Sequence, residues 1–265
     1  MHKPEISVIM ATHNGEKYIN KAIESVLSQD ADFELIIIDD CSNDATPSII
    51  KGYGDKRIRL LFNENNMGIT KTYNRGIREC RGEFFTFVDH DDIIPSQSLG
   101  KRASVLKNNT NAVAVFGKSL RIDEEGRAYK VKGYPLSRKQ GPIDKRVFES
   151  YMLFSPVSPW DHGSFMFRKA YVEELGYYDE ELVVADWEFV LRCCRSDFDI
   201  EYLPEIVYHY RAHPNNFMRK YRRERHWVRD KRLAMAKHGL PSSLLYYRYF
   251  IESAKGICSR ISYKR

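Results

Sequence analysis

Acidic side chains gather at three places in the chain. Asp39-Asp40 follows an isoleucine-rich run, Asp89-His90-Asp91-Asp92 follows Phe87-Val88, and Asp186 opens a stretch of helical character. Polar residues, Thr12-His13-Asn14-Gly15, close a first apolar run in the same manner. On an extended segment, residues two apart point to the same side, so Asp89 and Asp91 have the spacing of a paired carboxylate. Such oxygen donors suit a hard divalent ion, Mg or Mn, that keeps positions open for phosphate oxygens. Four or more negative charges brought together repel and raise each other's pKa unless a cation or a donor-bearing ligand offsets them.

These clusters are positioned by a regular alternation. Apolar β-type runs at 6–11, 33–38, 58–62 and 83–88 alternate with helical spacing at 16–29, 44–51 and 70–80. In the first helix Ile19, Ala22, Ile23, Val26 and Leu27 share one face; Ser42 or Asn43 is the expected cap of the second. Strand and helix in alternation predict an α/β fold, a doubly wound and mostly parallel sheet with helices on both faces. In such sheets the ligand site lies beyond the carboxyl ends of the strands, where the aspartates stand. Neither Gly-x-x-x-x-Gly-Lys-Ser/Thr nor Gly-x-Gly-x-x-Gly follows the first strand, so phosphate must be held through a metal and not by a glycine cradle. Kinases, ATPases and nicotinamide dehydrogenases are disfavoured accordingly.

Four motifs in order, Ser7 to Asn14, Ile38 to Asp44, Asn66-Met67-Gly68 with Asn74-Arg75-Gly76-Ile77, and Phe87 to Asp92, resemble the nucleotide-sugar half of inverting family 2 glycosyltransferases. The likeness continues through His162 to Arg168, Gly176 to Glu180, Ala185-Asp186-Trp187-Glu188 and Tyr210-Arg211-Ala212-His213, covers residues 4–214, and is similar to the spore-coat polysaccharide branch around Asp161-His162. It implies an A-type glycosyltransferase fold. It further implies that Thr12, His13, Asn14, Asp39, Asp40, Asn66, Gly68, Lys71 and Asp89 serve the nucleotide, with Asp40 taking the pyrimidine N3–H, Asp39 behind it and Asp89 at the ribose. Asp91, with Asp89 and His213, would hold Mn2+ or Mg2+. Asp186 would be the base that deprotonates the acceptor hydroxyl, and His162, Trp187 and Arg211 would lie on the acceptor and diphosphate side. His13 stands where the family usually has tyrosine, and Ala185 where it usually has glutamate.

The implied activity is transfer of a sugar from a UDP- or dTDP-type donor to a hydroxyl of a saccharide or lipid-linked saccharide in cell-surface polysaccharide synthesis. The alternatives are a nucleotidyltransferase, which would show a Gly-rich basic signature after the first strand, and a non-catalytic nucleotide-sugar-binding protein. Residues 123–145, rich in Gly, Lys and Pro, lack periodicity and are expected to form a mobile segment beside the acceptor cleft.

The chain has 265 residues and a net charge of +6, but residues 215–265 hold fourteen Lys and Arg against three Asp and Glu, so an acidic body carries a basic tail. The organisation expected is a catalytic domain at 1–214, with a nucleotide half to about 110 and an acceptor half beyond it, then a helical extension at 215–265, one helix at 217–238 and another at 242–261. The tail would dock on an anionic membrane surface, on the body, or on a second copy in a homodimer; no recognition motif for nucleic acid accompanies it. Five cysteines without a Cys-x-x-Cys pair indicate neither a disulfide framework nor a zinc site. No apolar run reaches the roughly 18 residues of a membrane span, and 6–11 is too short for a signal core. The expected location is cytoplasmic, peripheral on the inner face of the membrane.

Overall fold

The computed structural model describes residues 3–133, 139–154, 158, 160–224 and 226–241. Its elements run β1 (Ile6–Thr12), α1 (Ile19–Leu27), β2 (Phe33–Asp39), α2 (Thr46–Lys51), β3 (Ile58–Phe62), α3 (Ile69–Glu79), β4 (Phe84–Phe87), α4 (Ser98–Asn108), β5 (Ala112–Ile122), β6 (Ala128–Lys132), β7 (Gly141–Pro142) and α5 (Lys145–Phe154). After them come β8 (Phe165–Arg168), α6 (Lys169–Leu175), α7 (Asp186–Arg195), β9 (Asp199–Arg211), α8 (Phe217–Arg223) and α9 (His226–Lys237).

The strands form one sheet in the order β3-β2-β1-β4-β8-β5-β9-β7, with β6 added beside β5. β1 pairs in parallel with β2 and β4, β2 with β3, and β5 with β9; β8 is antiparallel to both its neighbours. The fold is therefore the mostly parallel α/β layer that the alternation predicts. β1 explains why the first strands read as unbroken apolar runs: Ile6, Val8 and Met10 enter one apolar layer, Ile9 and Ala11 the other, and all are buried. Helix α1 covers the first layer with Ile19, Ala22, Ile23 and Val26, all fully buried; at such a site truncating Ile23 to Ala costs about 2–5 kcal/mol. The second layer is closed by α3, α5 and α7.

Two hydrogen-bonding side chains tie distant segments to this sheet. Arg102 of α4 is fully buried and donates from Nη1 to Thr86 Oγ1, Gly163 O and Phe165 O, fixing the entry of β8. Burial pushes its guanidinium down to about 9. Asn74 of α3 clips the second half to the first: its Nδ2 donates to Tyr178 O at 2.8 Å, and its Oδ1 accepts from Tyr178 N at 2.9 Å. Gly163 is required because a Cβ there would meet the Tyr208 ring at 2.1 Å.

Three expectations are corrected. α2 begins at Thr46, and its first N–H is taken by Asp44 Oδ1 rather than by Ser42 or Asn43, because Ser42 Oγ instead accepts from Asn14 N and Asn43 N donates to Asn14 Oδ1. The segment at 123–145 is partly regular. β6 pairs antiparallel with β5 through a turn in which Asp123 N and O bond Arg127 O and Gly126 N. The helix expected at 217–238 is two helices, α8 and α9, the second packed on the body: Ala234 and Met235 are buried in the same layer as α7. The helix expected at 242–261 lies outside the described residues. Among the described residues no helix is long and apolar enough to cross a membrane.

Candidate active site

A cleft of about 900 Å³ opens over the carboxyl ends of β1, β2 and β4, and its walls include Thr12, Asp40, Asp89, Asp91, Trp160, Asp186 and His213. Its position follows from the topology. β1 lies between β2 on one side and β4 on the other, so the chain direction of the sheet's growth reverses there and the loops diverge.

The end nearest β2 is built around Asp40. Its Oδ1 accepts from Asn63 Nδ2 at 2.7 Å and Met67 N at 2.8 Å, and its Oδ2 from Gly68 N at 2.9 Å. Gly68 has φ +82°, a left-handed conformation open to glycine. His13 Nδ1 donates to Asp40 O at 2.9 Å, which leaves Nε2 to accept from Asn14 Nδ2 at 3.1 Å. Thr12 is buried and its Oγ1 has no hydrogen-bond partner; a buried hydroxyl without a partner is costly, and a ligand in the cleft offers one. Gly15 lets His90 lie close, since a Cβ would meet the His90 ring at 2.6 Å.

The acidic turn after β4 lies at the cleft's centre, with carboxylate oxygens of Asp89, Asp91 and Asp92 within 4.8 Å of one another. The three are not equivalent. Asp92 spends both oxygens on the protein, Oδ2 on Tyr208 OH at 2.6 Å and Oδ1 on Arg211 N at 2.7 Å; burial, then Asp91 and Asp89, raise it well above the carboxylate range. Asp89 accepts from the Tyr73 hydroxyl, and burial with the Asp91 charge lifts it to about 6. Burial opposes ionisation of Asp91 as well, yet the hydrogen bond from His213 and the His90 and His213 charges outweigh it and hold the carboxyl low. Asp91 Oδ2 takes His213 Nε2 at 2.8 Å and Asn216 Nδ2 at 3.1 Å. No hydrogen bond between described residues uses Asp91 Oδ1 or Asp89 Oδ2. Two hard oxygen donors, one firmly ionised and oriented by a histidine and an amide, fit a divalent cation.

The third end belongs to Asp186, the first residue of α7. It lines the cleft and accepts from Trp187 N at 2.7 Å. Burial raises its carboxyl, against that N–H and the Lys231 and Lys132 charges, in the direction that suits a base working near neutrality.

Comparison with known proteins matches this arrangement. Residues 7–176 match the family described as glycosyl transferase family 2. The chain belongs to glycosyltransferase family 2. An uncharacterized glycosyltransferase of Methanocaldococcus jannaschii is 32% identical over 87% of this chain and 82% of its own length. The Campylobacter jejuni GalNAc(5)-diNAcBac-PP-undecaprenol beta-1,3-glucosyltransferase is 36% identical over 55% of this chain and 47% of its own. The crystal structure of S. aureus TarS 1-349 in complex with UDP-GlcNAc superposes with a TM-score of 0.66 and 26% identity over 81% of this chain and 60% of that one. This chain thus spans most of the first relative and about half to two thirds of the others. The matches single out the family as a whole and not its spore-coat branch.

Within this family 2 chain, several expected site residues sit elsewhere. Lys71 is exposed on α3 and does not line the cleft, whereas Asp39, expected behind Asp40, is buried behind the wall with Oδ2 accepting from Ser42 N. Asn66 lines it and accepts from Gly68 N. Trp187 lines no part of it. It is 8% exposed and packs in the apolar layer with Lys231 Nζ 5.0 Å from its ring. Arg211 is also withdrawn: its guanidinium holds Asp91 O, Asp123 O and Glu124 O, so it braces the acidic turn and the hairpin from behind. His213 faces Asp91 and spends Nε2 on it. His162 lines the cleft, but its Nε2 is bonded to Tyr178 OH at 2.8 Å, its ring stacks on Phe87, and burial pushes it down to about 3, so it is neutral and serves as wall.

The structure adds residues that no motif marked. Tyr73 and Tyr208 orient Asp89 and Asp92, and Asn216 orients Asp91. Arg121 and Lys132 reach the cleft from the β5–β6 hairpin and both donate to Asp161 Oδ1, at 2.7 and 2.9 Å. Arg219, at the start of α8, lines the cleft, is exposed, and has no acidic partner among the described residues. Asn216 lies three residues after the Tyr210-to-His213 element, the one signal that pointed toward it.

Proposed function

We propose that this glycosyltransferase moves a sugar, with inversion, from a UDP- or dTDP-type donor to a hydroxyl of a saccharide or lipid-linked saccharide, and that Mn2+ or Mg2+ assists. The observation that carries this reading is that one cleft gathers Asp40, the pair Asp89 and Asp91, and Asp186, which would serve the base, the cation and the acceptor hydroxyl respectively. The TarS complexes with UDP-GlcNAc and UDP, and the undecaprenol-linked glucosyltransferase, support the donor class and the acceptor class respectively.

Thr12 Oγ1 and the polar atoms around Asp40 would take the nucleotide. Asp91, with Asp89, would hold the cation, which when bound supplies a Lewis acid for the departing diphosphate. Asp89, lifted to about 6, takes part in its ionised form, which a neighbouring cation favours further. Arg219 would add a positive charge on the diphosphate side. Asp186 takes the proton of the acceptor hydroxyl as its oxygen bonds to the anomeric carbon. The bond from that carbon to the diphosphate oxygen breaks, and the diphosphate leaves with the electron pair. Attack from the face opposite the leaving group inverts the centre. The hydrophobic wall of Trp160, Tyr178 and His162 limits water around Asp186.

A donor screen that measures metal-dependent release of nucleoside diphosphate, followed by mass spectrometry of the product, tests the reading. Nucleotide binding that ignores both metal and Asp91→Ala overturns the cation assignment. Unchanged donor turnover in Asp186→Asn, with nucleotide binding intact, would favour a different base.

A further inference from the structure

The loop that delivers Asp186 has few bonds of its own. Ala185, its N-cap residue, supplies no side-chain cap to α7. What holds the loop comes from outside. Asp230 of α9 is 2% exposed, and its Oδ2 accepts from Val183 N at 2.9 Å, Val184 N at 3.0 Å and Tyr221 OH at 2.9 Å. From the opposite side, Thr70 Oγ1 of α3 donates to Val183 O at 2.9 Å. The same helix grips α7 a second time: His238, just past its end, places Nε2 2.8 Å from Glu188 Oε1, and His238 O accepts from Arg195 Nη1 at 3.0 Å. Lys231, adjacent to Asp230, adds a positive charge near Asp186.

A carboxylate removed from water is tolerated when donors converge on it. Here two consecutive backbone N–H groups and a phenol converge on one oxygen, and those N–H groups lie two and three residues before the base. Beside Tyr221 and the Arg229 guanidinium 3.6 Å from Oδ1, the two loop N–H groups offset part of the cost of burying that charge, and they do so while the loop keeps its present path, so the contact favours that path. We infer that Asp230 is a positioning residue for Asp186, and that helix α9, on the basic side of the chain, is part of the catalytic unit. This inference rests on the reading of Asp186 as the base.

Among the described residues neither Asp40 nor Asp91 bonds Asp230, so a positioning role separates turnover from nucleotide and cation binding; a link to the diphosphate side runs through Tyr221, which shares α8 with Arg219. In the full-length chain, Asp230→Ala is expected to lower kcat for nucleoside diphosphate release at least tenfold. Mn-dependent binding of UDP, measured by calorimetry, should stay within twofold. Asp230→Asn, which keeps an oxygen that can accept both N–H groups, should restore kcat to within threefold of the native value. An unchanged kcat in Asp230→Ala, or equal losses in turnover and UDP affinity, overturns the inference. Should Asp230→Ala not fold, Tyr221→Phe takes its place: it removes one bond and little volume. A fall in kcat of about threefold at unchanged UDP affinity supports the inference, and an unchanged kcat overturns it. Asp186→Asn measured alongside keeps the two readings apart. Its full activity removes Asp186 as base whatever Asp230 does, whereas its inactivity with a fully active Asp230→Ala defeats only the positioning role.

Discussion

The two ends of the cleft are built in opposite ways. At one end, Asp40, just past β2, takes donors from Asn63, Met67 and Gly68, all within 28 residues and all on the loop that leaves the adjacent parallel strand β3. At the other end the loop before Asp186 depends on Asp230, 46 and 47 residues away from its partners, and on Thr70, 113 residues away. The first end is held by the sheet itself; the second is suspended between helices that reach it from both directions. Local construction leaves compact motifs, and suspended construction leaves isolated residues with nothing around them to mark their task.

That contrast can be broken by mutation, and the largest effect belongs to the suspended end. Asp186→Asn should lower kcat by about 10²- to 10⁴-fold, the usual contribution of a positioned base, with UDP affinity unchanged; a parallel loss of affinity would show the ends to be coupled. His213→Ala, which strips Asp91 of one of its two orienting donors and leaves Asn216, should weaken Mn2+ affinity by about 10- to 100-fold. A metal titration followed by nucleotide binding checks it, and turnover at saturating Mn2+ should recover. Arg219→Ala should raise the donor KM by roughly fivefold, a value in keeping with an exposed charge contact of about 1 kcal/mol, and high salt should erase the difference.

The last effect is on stability and not on turnover, and it concerns pH. His162, buried and held down to about 3, is neutral in the folded chain but protonates near its ordinary value of 6.5 once unfolded. The unfolded state therefore binds the extra proton between those two values, and stability falls as pH drops through that window. By pH 5 the loss is roughly 2 kcal/mol. Thermal unfolding of His162→Gln should be less sensitive to acid over the same range than that of the native chain. Equal acid sensitivity would mean that His162 is solvated and not part of the wall.

The sheet was legible because its strands announce themselves twice, by apolar runs and by polar ends. β1, β2, β3 and β4 fall within a residue of the alternation read from the chain. The same signal led to Asp40, Asp89 and Asp91, which the structure brings to one cleft. It failed where the argument needed the direction of a side chain. Lys71 and Thr70 are neighbours on α3, and only their rotation about the helix places one in solvent and the other under Val183. Arg211 and His213 share a strand end, yet one turns behind the acidic turn and the other faces it. β6 was missed because its residues alternate weakly and it is an exposed edge addition to β5. Asp230 was hidden in a stretch whose basic charge suggested docking and nothing catalytic.

The clip made by Asn74 has a consequence for how such chains are shuffled. Its amide reads the N–H and C=O of residue 178, and its Nδ2 also donates to Glu180 Oε1 at 2.9 Å. The peptide part of this joint is indifferent to the side chain at 178, much as one β-strand accepts another, whereas the bond to Glu180 asks for an acceptor two residues on. Hybrids that graft a foreign second half onto residues 1–110 should therefore seat best at this joint when Asn74 is kept and the incoming half carries an acceptor in place of Glu180. Asn74 is then one of several contacts that a recombined second half has to meet, beside Arg102 with Gly163 and Phe165, Thr70 with Val183, and Asp91 with His213.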